Sequence, residues 1–296
     1  MKDIAILTEK RYLKRCGNNI YIDNILKEDG LVQLELEKLG ICCDRVAWDN
    51  NFNPHDFKLA LFRTTWNYFD QLELFNSFLK SCQNQTTLIN GYDQIVWNLN
   101  KKYLIELGLG GINIPETKLI KRGGLINFIK TCKDRGWKEV VIKPCVSAAA
   151  WNTHYIKTIN HHSKEVFDRL VRDHDMLIQV FQKSIVRFGE ISLMMINGEY
   201  SHAVLKNAKP GDFRVQDDFG GTVSLYSPKD VEIKFAKSVM SRVPFDAVYA
   251  RVDVVIDNNN KLALSELELI EPEMWFRLKP GSAKNLAKTI FGKYFS

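Results

Sequence analysis

No stretch of the 296 residues approaches the roughly 18 consecutive apolar residues of a membrane span. Residues 1–8 lack the long apolar core of an export signal. A protein that neither enters nor crosses a membrane is the expectation. Cysteine is scarce and scattered. Cys42 and Cys43 adjoin, Cys16, Cys82, Cys132 and Cys145 stand alone, and no Cys-x-x-Cys occurs. That excludes zinc ribbons and dithiol redox sites, and reduced thiols in a cytoplasmic protein are expected. Charge of one sign is not concentrated anywhere. The net charge is +6, but its lysines and arginines are dispersed, which suits a small anion and gives no footprint for nucleic acid. Also missing are the phosphate loop G-x-x-x-x-G-K-[ST], G-x-G-x-x-G after the first strand, H-E-x-x-H and G-x-S-x-G, and with them four common nucleotide-binding and hydrolase architectures.

What is present is ordinary globular material, with 45% hydrophobic and 26% charged residues and enough chain for one large or two to three small domains with a sizeable core. Short apolar runs at 4–7, 45–48, 59–63 and 87–89 alternate with helical stretches at 24–39 and 72–79, which predicts an α/β layer over residues 1–93. Residues 94–182 read as a small α+β unit. It has helices at 98–109, 123–136 and 163–172, and strands at 117–120, 140–143 and 176–181. Residues 183–296 read as an antiparallel sheet of hairpins, 191–196 with 200–205 around Asn197-Gly198 and 248–256 with 262–270, plus helices at 228–243 and 282–291.

Acidic residues in the last hairpin are the first candidates for chemistry. Glu266 and Glu268 are two apart on a strand and share a face. An in-register partner strand brings Asp253 to the same spot. Three converging carboxylates repel unless a cation neutralises them, and hard oxygen donors suit Mg²⁺. The alternative is the solvent face of a half-exposed strand. Lys143 ends the buried-looking run Val140-Val141-Ile142, where a lysine is costly without an anion. Lys101 and Lys102 open the predicted helix 98–109, against the helix dipole, a conflict that a bound phosphate resolves. Arg214, in Gly211-Asp212-Phe213-Arg214, offers a planar cation suited to phosphate or carboxylate. Gly220-Gly221, after Phe219, permits close backbone approach to a ligand.

In this order along the chain, the features resemble the ATP-grasp superfamily, in its branch similar to glutathione synthetase and ribosomal-protein-S6 glutamate ligase. The segments Arg63-Thr64-Thr65-Trp66-Asn67-Tyr68, Trp97-Asn98 with Lys101 and Tyr103-Leu104, and Leu267-Glu268-Leu269-Ile270-Glu271-Pro272 resemble the group of the cycloserine-pathway cyclo-ligase. The resemblance covers nearly the whole chain. It implies a Rossmann-like first domain, a small central domain and a C-terminal domain carrying a metal site. It implies that Lys101 and Lys143 hold ATP, that residues 144–153, with the hydroxyls of Ser147 and Thr153, fold over the phosphates, and that Gln179, Val180 and Phe181 read adenine. Glu190 is implied to bind ribose, Arg214 to meet the transferring phosphoryl group with help from Lys206, and Asp253, Glu266 and Glu268 to hold Mg²⁺, Glu271 competing for the third place. Arg63, beside Trp66 and Tyr68, is the candidate for gripping a substrate carboxylate, and Gly220 and Gly221 are substrate candidates.

The resemblance implies an ADP-forming ligase that joins a small carboxylate to an amine through an acyl-phosphate. An intramolecular cyclo-ligase and a non-catalytic ATP-binding module are the alternatives. Similar proteins are commonly dimers, so a homodimer is carried as a candidate assembly. One departure concerns the phosphate loop, usually glycine-rich, which here reads Ser147-Ala148-Ala149-Ala150-Trp151-Asn152-Thr153. The other is Glu268, at a place commonly held by asparagine.

Overall fold

Three sheets follow one another along the chain in a computed structural model that describes residues 1–15, 17–215 and 220–296. Cys16 and Phe219 therefore lie outside the described residues. The first sheet is parallel, with strands β1 (Lys2–Thr8), β2 (Cys43–Ala47), β3 (Phe57–Thr64) and β4 (Thr87–Ile89) in the order β2-β1-β3-β4. β1 and β3 are almost continuously buried, as parallel strands covered on both faces must be. Helix α1 (Ile20–Glu37), capped by the Asn19 side chain, and helix α2 (Leu72–Cys82) supply the crossovers.

A pair of short helices leads out of this sheet. The stretch expected as one helix over 98–109 is two, α3 (Tyr92–Leu99) and α4 (Tyr103–Leu109), broken where Asn100 turns extended. Lys101 therefore sits in the break and Lys102 caps α4. The second sheet is antiparallel. Its strands are β5 (Thr117–Ile120), β6 (Val140–Pro144), β7 (His154–Ile156) and β8 (Met176–Val180), in the order β5-β8-β6-β7. Helices α5 (Phe128–Asp134) and α6 (His161–Asp173) close it through Phe128 and Phe167, whose rings stack at 5.0 Å.

After the single turn α7 (Ser184–Arg187) the chain builds the third sheet. Strands β9 (Glu190–Ile196), β10 (Glu199–Asn207), β11 (Thr222–Tyr226), β12 (Tyr249–Ile256) and β13 (Leu262–Glu268) take the order β11-β10-β9-β12-β13. The β9–β10 turn puts Asn197 and Gly198 both at positive φ, as a tight hairpin requires. Helix α8 (Asp230–Met240) covers one face. Helix α9 (Gly281–Tyr294) packs against β9 of this sheet and also against α1. Residues 274–290 run back to the first sheet, where Trp275, Phe276, Leu286 and Ile290 share a core with Ile4, Val32 and Leu36. Among the described residues no helix is long and apolar enough to cross a membrane.

Candidate active site

One cavity lies between the second and third sheets and reaches the end of the first. Its floor is the β12–β13 pair, whose register sets Asp253 opposite Glu266 and Arg251 opposite Glu268. Side chains two apart on a strand share a face, so all four groups meet in the cavity. Asp253 is almost fully buried and held from three sides. Ser192 donates to it at 2.6 Å, Lys206 at 3.0 Å and Arg251 at 2.9 Å. Burial pushes its pKa up, but Arg251 and Lys206 outweigh that and hold it well below the usual carboxylate range. Arg251 also donates to Glu268. The same face rule that gave Glu266 and Glu268 points to Arg251, two residues before Asp253, and this is the residue that sequence reasoning missed.

The opposite wall comes from the second sheet. Lys143, at the end of β6, lines the cavity, and among the described residues it makes no hydrogen bond or ion pair. Burial, the largest influence on it, lowers its pKa. Lys101 reaches across from the break between α3 and α4, donating to the Ser147 carbonyl at 2.6 Å and pairing with Glu266 at 3.0 Å. Burial works against its charge, yet Glu266 prevails and its pKa is raised. The expected conflict with a helix dipole does not arise at Lys101, because that residue lies outside both helices.

Ser147 and Thr153 line the cavity from the loop after β6. Ala149, Ala150 and Asn152 all take positive φ, at 48°, 54° and 49°. For alanine this region costs on the order of 1–2 kcal/mol per residue, so the loop adopts glycine-like geometry without glycine. Trp151 leaves the loop to meet Phe69 at 5.4 Å and His174 at 5.2 Å.

Gln179, Val180 and Phe181 form the closed end of the cavity. Their backbone is largely committed. Val180 and Phe181 donate their N–H groups to the carbonyls of Glu116 and Glu139, and the Phe181 carbonyl accepts from Asn258. The Val180 carbonyl accepts from the Gln182 side-chain amide at 2.7 Å, and the oxygen of that amide accepts from the Asn258 N–H at 2.9 Å. Phe181 stacks on Tyr155 at 3.9 Å, with Phe213 nearby at 6.4 Å, an aromatic corner not visible in the sequence. Glu190 lies beside it, paired with Lys206 at 2.6 Å. Arg214 lines the mouth, its guanidinium on Asp212 at 2.8 Å.

Three expected site residues are elsewhere. Arg63 does not line the cavity. It is 1% exposed and donates to Glu28, Asp29 and the Pro272 carbonyl. Buried arginine must find carboxylates, and α1 supplies them. Gly220 and Gly221 are not among the lining residues either.

The N-terminal residues 4–90 match the family model described as the N-terminal domain of D-cycloserine synthetase DcsG. Across the chain, cycloserine biosynthesis protein DcsG of Streptomyces lavendulae is 23% identical over 275 residues, covering 85% of this chain and 89% of that protein. The crystal structure of D-cycloserine synthetase DcsG superposes with a TM-score of 0.83 at 21% identity, over 98% of this chain and 99% of the other. An ATP-grasp protein with a RimK domain from Sphaerobacter thermophilus superposes with a TM-score of 0.66 at 15% identity, over 99% and 100% of the two chains. The chain has the ATP-grasp fold. The D-alanine–D-alanine ligase of Bacillus anthracis, solved with ATP, shares that fold with a TM-score of 0.63 at 14% identity, over 99% and 97% of the two chains. The resemblance to ATP-grasp ligases drawn from the sequence is thereby borne out.

The donors fit a hard divalent cation. Among the described residues no three His, Cys, Asp or Glu side chains form a ready-made metal cage. Instead the carboxylates of Asp253, Glu266 and Glu268 are neutralised by Lys206, Lys101 and Arg251. All are hard oxygen donors, and a Mg²⁺ site ordinarily uses one or two carboxylates with water and phosphate completing the shell.

Proposed function

We propose that the protein is an ATP-dependent carboxylate–amine ligase acting on a small amino-acid or peptide-like substrate and releasing ADP and phosphate. The observation that carries this reading is the meeting, in one cavity, of the unpaired Lys143 with the carboxylates and cations of the β12–β13 floor. Lys143 and Lys101 would hold the nucleotide phosphates, and Phe181 with Tyr155 would hold the base. Asp253, Glu266 and Glu268 would hold Mg²⁺, which when bound supplies charge neutralisation on the phosphates.

The substrate carboxylate attacks the γ-phosphorus of ATP, forming an acyl-phosphate and ADP. An amine then attacks the acyl carbon, and phosphate leaves. The chain's contribution is positioning and cationic stabilisation of the phosphoryl group in flight. Arg251, Lys206 and Arg214 all line the cavity where that group would pass. The match of residues 4–90 to a DcsG domain supports a second reading, in which the amine belongs to the same molecule as the carboxylate and the reaction closes a ring.

The test is ADP and phosphate release from ATP with Mg²⁺ and pools of amino acids and small dipeptides. Release is expected with a pool member and absent in the Asp253→Ala/Glu266→Ala double variant. Tight ATP binding with no release from any pool would sink the ligase reading in favour of a binding module.

A further inference from the structure

Once each charged group in the cavity is matched with its partner among the described residues, two are left over. Lys101 is on Glu266, Lys206 on Glu190 and Asp253, Arg251 on Asp253 and Glu268, and Arg214 on Asp212. Glu273 is on Arg277. The unmatched cation is Lys143, at the phosphate end. The unmatched anion is Glu271, which is 6% exposed and lines the cavity near the first sheet. The Tyr68 hydroxyl neighbours its carboxylate and favours the charged form, and among the described residues it has no cation within ion-pair distance. A carboxylate has about four acceptor positions, so most of its capacity is unused.

The surroundings are those of a cation site. Trp66 and Tyr21, with rings 6.3 Å apart, stand in the same wall, and Tyr12 backs Trp66 at 5.8 Å. The Trp66 indole N–H donates to the Glu271 carbonyl at 3.0 Å, which fixes the carboxylate relative to the ring. Aromatic faces attract ammonium groups. Burial, chiefly, and the neighbouring Glu268 work against the Glu271 charge, pushing its pKa up to about 8, and an incoming cation favours the charged form against them. Arg63, the only basic residue of the 63–68 segment, is turned away into its own buried ion pairs. This end of the cavity is therefore acidic and aromatic.

We propose that Glu271 receives the ammonium group of the substrate, so that the cavity takes a free amino acid or an amino-acid derivative with an unblocked amine. A carboxylate lacking a cation, such as a dicarboxylate or an N-acylated amino acid, is refused. This assignment rests on the ligase reading and narrows its substrate class. Glu271 then selects the substrate and is not a third metal ligand.

The decisive experiment is ligand-detected saturation-transfer NMR on the full chain with Mg²⁺ and a non-hydrolysable ATP analogue. The probes are amino acids of both hands, their N-acetyl derivatives, succinate and glutarate. Binding is expected from one or more free amino acids and from none of the others. Glu271→Gln, nearly isosteric and able to keep the Tyr68 contact, should weaken that binding roughly tenfold or more. It should leave nucleotide affinity and Mg²⁺ dependence unchanged. Tyr68→Phe, which keeps the charge, should weaken it less. Equal binding of the N-acetyl derivatives, silence from the whole amine pool, or a Glu271→Gln variant altered in Mg²⁺ dependence instead of amine binding would each overturn the assignment. Amine binding that depends on Glu271 without any ADP formation from ATP would sink the ligase reading and leave the ammonium site standing.

Discussion

At the scale of single residues, a charged or polar side chain is legible when its partner is local and obscure when its partner is distant. Glu266 and Glu268 announced themselves through the two-residue period of a strand. Arg251 obeyed the same rule with respect to Asp253 and was passed over, because attention fell on acids. Arg63 was misread for the opposite reason. Its partners Glu28 and Asp29 lie 35 and 34 residues earlier in the chain, so a basic residue beside aromatics looked like a ligand grip. His202, on β10, is buried and structural. Its Nε2 meets the Met274 carbonyl at 2.7 Å, and burial, chiefly, pushes its pKa down to about 4. The unfolded histidine takes a proton near pH 6.5 while the folded one does not. Between those values the unfolded state binds more protons, so stability is complete above about pH 6.5 and falls as pH drops towards 4, by on the order of 3 kcal/mol in all. Melting curves across that range should show the fall in the wild type. A His202→Gln variant, whose amide can still donate to Met274, should show a shallower one. Parallel curves would mean that the proton uptake occurs elsewhere.

At the scale of elements, long periodic strands and helices were legible, and short ones only in part. β4, with three residues, was read from its apolar Leu88-Ile89, whereas β7, also three, and α7, four, gave no period to register. Helical spacing continued through 98–109, yet the chain breaks at Asn100, since this delivers Lys101 to the cavity. The phosphate loop is the clearest case of tertiary structure overriding local preference. Two alanines and an asparagine hold positive φ there, and the aromatic contacts of Trp151 with Phe69 and His174 anchor the loop over the cavity. Such contacts contribute roughly 0.5–1.5 kcal/mol each beyond simple burial. Trp151→Ala should therefore loosen ATP binding by roughly tenfold while shifting the melting temperature little, because Trp151 is only half-buried on a surface loop. Calorimetric titration with a non-hydrolysable ATP analogue reads the first quantity and thermal unfolding the second. Unchanged affinity would mean that the loop closes without its tryptophan.

At the scale of the whole molecule, the order of sheets was legible from alternating patterns, but the return of residues 274–290 to the first sheet was not. The two share an apolar core, and buried polar groups add to the stitching. The Glu28 carboxylate accepts from the N–H groups of Met274, Phe276 and Arg277 at 3.0–3.2 Å. Asn90, at φ 61° just after β4, donates to the Tyr249 and Leu269 carbonyls at 2.8 and 2.7 Å and accepts from the Val248 N–H at 2.7 Å. Asn98 repeats the device on Leu267 and Leu269. Together these fix the end of β13, with its carboxylates, relative to the first sheet and its aromatic wall. Nothing local in the sequence marks such pairs, since they join residues more than 150 positions apart. Asn90→Ala removes two donors and an acceptor from a site only 1% exposed. Each buried group left without its bond costs about 1–3 kcal/mol, so the variant should lose roughly 3 kcal/mol or more and melt several degrees lower. If the first and third sheets unfold as one body, the transition stays single. A split into two transitions would mean that Asn90 is what couples them, and an unchanged melting temperature would mean that the apolar core and the bonds of Glu28 and Asn98 join the two sheets without it.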